Sequence, residues 1–97
     1  EAAINTLQRI IDLKENQSVR LLDIMGKRTK PALALLEYLF VQPVITINQV
    51  KEQLAVANNT AYAIVDTFVK QGILKELTGY KRNRLYSFEA YLMLLKK

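Results

Sequence analysis

Cysteine and histidine are both absent from this chain of 97 residues, and it has only three glycines and two prolines. Without cysteine there can be no disulfide and no thiolate metal site. Without histidine, most remaining ways of holding zinc, or of moving protons near neutral pH, are gone as well. The glycines Gly26, Gly72 and Gly79 stand apart, so no glycine-rich phosphate loop exists, and each suits a turn or a helix end. The carboxylates do not gather either: Glu37, Asp66, Glu76 and Glu89 fall in different predicted elements and read as surface charge. No apolar run approaches the roughly 20 residues of a membrane span. A signal-like segment is also lacking, so a cytoplasmic setting is expected. An opening on Glu1, with no Met, is what a domain taken from a longer protein would have. The expectation is a non-enzymatic domain with no cofactor, no metal and no membrane partner.

Hydrophobic residues make up 51% of the chain, which suits one domain with a single modest core. The net charge of +5 is uneven, being −1 over residues 1–26, +2 over 27–54 and +4 over 55–97. A basic surface in the C-terminal half attracts phosphate backbones irrespective of their sequence.

The order of elements from Val44 to Tyr91 predicts a winged helix-turn-helix. Val44-Ile45-Thr46-Ile47 is a short β-branched strand, and Thr46 with Gln49 three residues on forms a capping box for the helix carrying Ile47, Val50 and Leu54. Ala55-Val56-Ala57 is a turn. Asn58 or Asn59 can cap the next helix, which has Ala61, Ile64, Val65, Phe68 and Val69 on its buried side and stops at Gly72. The period then falls to 2: Ile73 to Leu77 pairs with Leu85 to Phe88 across a tip spanning Thr78 to Asn83. A closing helix from Glu89 to Lys97 brings Tyr91, Leu92, Leu94 and Leu95 back onto the domain. Tyr86 and Phe88 are assigned to packing.

Upstream, Ala2 to Met25 predicts one long helix, or two with a weak point at Asn16-Gln17-Ser18, ended by Gly26. Lys27 to Lys30 is a basic connector, and Pro31 suits the first turn of a linking helix. The fold class is therefore mostly α with a small β-wing, a winged helix-turn-helix at 28–97 preceded by a long helix at 1–27. Ile4, Leu7 and Ile11 begin a heptad seam that Lys14 and Ser18 interrupt before Leu21 and Met25, which makes the first three candidates for a homodimer or interdomain contact. Leu21, Leu22 and Met25 are expected on the helix that carries Leu33, Leu36, Leu39 and Phe40.

Gln71-Gly72-Ile73-Leu74-Lys75-Glu76-Leu77-Thr78-Gly79, Lys81-Arg82-Asn83-Arg84-Leu85-Tyr86 and Glu89-Ala90-Tyr91-Leu92 resemble the C-terminal winged-helix domain of Fic-family proteins. Pro31 to Phe40 is similar to the helix that precedes that module, so the resemblance covers roughly residues 28–95. In that family a separate catalytic domain transfers AMP to hydroxyl side chains, with a motif containing histidine, an acidic residue and a glycine-rich anion-binding turn. This chain has no histidine, so the resemblance implies the non-catalytic, regulatory part of such an AMP-transferase, with the catalytic domain of the parent chain as a partner. The long first helix would then be the linker between the two.

The resemblance also implies contact with double-stranded DNA. Asn58, Asn59, Thr60, Tyr62 and Lys70 on the second helix of the motif are candidates for the major groove, and Lys81, Arg82 and Arg84 in the wing for phosphate. Relatives of the module often carry Arg where Ala63 and Thr67 stand here, and Asp66 has the wrong sign for a phosphate, so the DNA-reading face is thin. The competing assignment is a protein-interaction or dimerisation module, since winged helices serve both uses. Tyr62 and Tyr80 suit either base stacking or cover for their own elements. The wing charges suit either phosphate contact or a solvated tip, the second with Arg84 paired to Glu76 across the strands.

Overall fold

The structure, a computed structural model, describes residues 2–78 and 84–96, with side chains from residue 5 onward. It is mostly helical with a small three-stranded antiparallel sheet, and its elements follow a winged helix-turn-helix order. Helix α1 (Ala2–Ile24) is continuous through Asn16-Gln17-Ser18. There the Ser18 hydroxyl donates back to the Lys14 carbonyl at 2.7 Å, so its polar group is met within the helix. Gly26, at φ +55°, turns the chain into a 3-10 turn (Gly26–Arg28) and then α2 (Thr29–Leu39), with Pro31 in its first turn.

Strand β1 (Val44–Thr46) leads directly into α3 (Ile47–Leu54) through the capping box: Gln49 N–H donates to the Thr46 hydroxyl at 3.2 Å and Thr46 N–H to Gln49 Oε1 at 2.8 Å. Ile47 thus begins the helix and does not extend the strand. Ala55 ends α3 with a left-handed backbone at φ 54°, a conformation glycine or asparagine adopts more readily. Helix α4 (Asn58–Lys70) follows, with Ala61, Ile64, Val65 and Phe68 buried and Val69 half-buried. Its N-cap is Ala57, with no side-chain cap. Asn58 and Asn59 are already inside the first turn and exposed, which corrects the expected capping role. The Ala57 carbonyl accepts the first intrahelical bond, from Ala61 N–H at 3.0 Å, so the helix starts before either amide could cap it.

At the other end Gly72, at φ +76°, lets Gly72 N–H reach the Val69 carbonyl at 3.0 Å and Ile73 N–H the Phe68 carbonyl at 2.8 Å. That double bond is a Schellman closure, and it drops Ile73 and Leu74 into the core. Strands β2 (Lys75–Glu76) and β3 (Leu85–Ser87) then pair antiparallel, Glu76 opposite Tyr86. The sheet order is β1-β3-β2, with Ile45 opposite Tyr86, so β1 and the wing share one strand. Helix α5 (Glu89–Leu95) closes the fold.

One core joins these pieces: Leu21 and Met25 of α1, Ala32, Leu35, Leu36 and Leu39 of α2, Ile45, Val50, the α4 face, Tyr86 and Phe88. Phe88 meets Phe40 edge-on at 5.2 Å between ring centres and lies 5.9 Å from Tyr91, itself 4.8 Å from Phe40. Two expected packing residues are corrected. Leu22 is 61% exposed, because Leu21 and Met25 take the side of α1 that faces α2 and Leu22 lies about 100° round from Leu21. Leu95 is 51% exposed at the last turn of α5, whose inner side is held by Tyr91, Leu92 and Leu94.

Candidate nucleic-acid interface

Burial of four apolar positions on α4 decides which side faces out. Asn58, Asn59, Tyr62, Asp66 and Lys70 are exposed and follow one another at helical spacing, forming a single stripe. Thr60, Ala63 and Thr67 are half-buried along its edges, and the Thr67 hydroxyl is spent on the Ala63 carbonyl at 3.0 Å. Of the α4 candidates, then, Asn58, Asn59, Tyr62 and Lys70 stand on the outward stripe and Thr60 at its margin. The stripe carries one positive and one negative side chain.

Arg84 on the wing is half-buried beside β3. A hydrogen bond with the Tyr86 side chain raises the pKa of its guanidinium above the usual value; desolvation is the next largest effect and opposes it, and the smaller potentials of Tyr86, Glu76 and Tyr62 add to the rise. Glu76 also accepts from the backbone N–H and the hydroxyl of Thr78, at 2.8 and 2.9 Å. Lys81, Arg82, Tyr80, Asn83 and Gly79 lie outside the described residues, so the tip contacts remain expectations.

Two further contacts were not anticipated from the sequence, one long-range and one local. Arg20 of α1 hydrogen-bonds Gln71 at the end of α4, a separation of 51 residues. Ser87, buried on β3, donates to Glu89 Oε2 at 2.7 Å and so keeps its hydroxyl satisfied. On α1, Leu7 and Ile11 are 59% and 41% exposed, while the Ile4 side chain lies outside the described residues.

No family model and no curated protein matches this chain. Among the described residues no group of three or more acidic side chains could hold a metal ion, and no helix is long and apolar enough to cross a membrane.

Proposed function

We propose that this is a non-catalytic, regulatory winged-helix module that meets double-stranded DNA, with α4 toward the major groove and the wing on phosphate. The observation that carries it is the outward stripe of α4, where Asn58, Asn59, Tyr62 and Lys70 stand together on one exposed side of the helix. Asparagine can pair with adenine in the major groove, and Lys70 and Arg84 can neutralise phosphates. The few positive side chains imply modest affinity that falls with salt. The resemblance to the Fic family suggests a place beside an AMP-transferring catalytic domain in a cytoplasmic protein.

Fluorescence anisotropy of labelled random-sequence duplex, titrated with the protein at about 50 and 200 mM salt, tests this reading. Binding that weakens steeply between the two salts supports it. No binding at the lower salt rejects it.

Asp66, in the middle of the stripe, and the uncovered Leu7 and Ile11 favour a second reading, in which the module contacts proteins. Its partner would be the catalytic domain of the parent chain or another copy of this chain.

A further inference from the structure

Asp66 puts a negative charge on the face of α4 that would meet a polyanion, and its place on that face decides what it can touch. With about 100° between successive residues, the exposed stripe spans about 120°, from Asn58 at one rim to Lys70 at the other, and Tyr62 and Asp66 lie between them at about 40° and 80°. Asn59 is within about 20° of Asp66 and nearly two turns before it. The acid therefore shares the centre of the stripe, while the stripe's cation stands at the rim. Asp66 is exposed and makes no hydrogen bond or ion pair among the described residues, so its acceptor positions are open to a ligand.

We propose that Asp66 is a specificity residue that reads cytosine, its carboxylate accepting a hydrogen bond from the N4 amino group of that base in the major groove. The inference rests on the reading that α4 faces the major groove of a duplex, and it adds a sequence requirement to that reading.

A helix laid in the groove turns the rims of its outward face toward the two phosphate walls and its centre toward the base edges. At a rim a carboxylate is repelled. At the centre it is favoured only where a base offers a donor with no acceptor beside it, and in the major groove that base is cytosine. Adenine sets its N7 acceptor next to its N6 amino group, and guanine and thymine present acceptors. Asp66 thus weakens binding to duplex in general and is relieved at a C·G pair, which is discrimination by a difference of affinities. Asn59, on the same line, suits adenine. It lies seven residues before Asp66, about 10 Å along the axis, or about three base-pair steps. A helix inclined to the groove shortens that reach, so the site should hold an adenine and a cytosine about two or three pairs apart.

Repeated selection from a random duplex library at about 50 mM salt, followed by sequencing, tests this. The unmodified protein should enrich cytosine at one position, and replacing that C·G pair should lower affinity in anisotropy titrations by about fivefold or more. Asp66→Asn should exchange the cytosine for adenine at the same position and leave the rest of the site unchanged, because an amide pairs with N6 and N7 of adenine. Asp66→Ala should lose the preference at that position alone and bind random duplex more tightly. Both variants change an exposed position and should keep the circular dichroism of the unmodified protein. Duplex bound with no preferred cytosine, or a cytosine preference that survives Asp66→Ala, would overturn the proposal and leave the placement of α4 standing. Retention of no duplex at this salt would overturn both.

Discussion

Arg20 Nη2 donates to both the backbone carbonyl and the side-chain Oε1 of Gln71, at 2.7 and 3.0 Å, while its Nη1 donates to Gln17 Oε1 at 2.9 Å. Gln71 is the C-cap of α4, where carbonyls lack partners inside the helix. A cation from α1 therefore meets the negative end of the helix dipole and holds the first helix to the last turn of α4. Arg20→Ala should cost about 1–2 kcal/mol in urea unfolding. Arg20→Lys should recover only part of that, because a single ammonium cannot reproduce the fork.

Gly72→Ala isolates a backbone effect. A Cβ there would touch nothing within 4 Å, yet φ is +76°, so the whole cost is that of a left-handed alanine. A loss of about 1–2 kcal/mol is expected from denaturant midpoints at unchanged m-value. No loss would mean the Schellman closure contributes little.

Phe88 is fully buried and touches the rings of both Phe40 and Tyr91, bringing β3, α5 and the end of α2 to one point. Phe88→Ala should destabilise by about 3–5 kcal/mol, enough to leave a domain this small close to unfolded. Thermal melts followed by circular dichroism would register it.

Thr46→Ala removes the capping box at the start of α3, and about 1 kcal/mol should be lost. Gln49→Ala removes the reciprocal bond to Thr46 N–H and should cost less, because that amide lies at the partly exposed end of β1. The two variants compared in parallel urea titrations give the order.

Asp66 is the acidic side chain on the outward stripe of α4. If that stripe approaches a duplex, Asp66→Lys should raise affinity for random-sequence DNA and steepen the salt dependence by about one to two phosphate contacts. Anisotropy titrations of the variant at several salt concentrations read both quantities. An unchanged affinity would place the stripe away from phosphate.

Features made within a few residues were legible in the sequence. The Thr46–Gln49 box, the stop at Gly72 and the buried face of α4 all follow from local hydrogen bonding and spacing, and the structure has each of them, whereas the alternation expected from Ile73 to Leu77 is not found: Ile73 and Leu74 are both buried by the helix closure and only Lys75–Glu76 pair as a strand. The outward set Asn58, Asn59, Tyr62 and Lys70 came with them, since naming a buried face names its opposite. The expected caps at Asn58 or Asn59 failed because the helix runs back to Ala57, whose carbonyl takes the first intrahelical bond from Ala61 N–H at 3.0 Å and leaves both asparagines inside the first turn.

The sequence by itself determined the kind and order of the elements, the basic balance of the C-terminal half, and the absence of cysteine and histidine chemistry. Only the tertiary structure decided that β1 pairs with β3 and not β2, that Leu21 goes in while Leu22 stays out, and that Arg20 closes the end of α4. Periodicity and capping act over one or two turns and are written in neighbouring residues. Which of two apolar helix faces is buried, and which distant cation finds a free carbonyl, depends on surfaces brought together from across the whole chain.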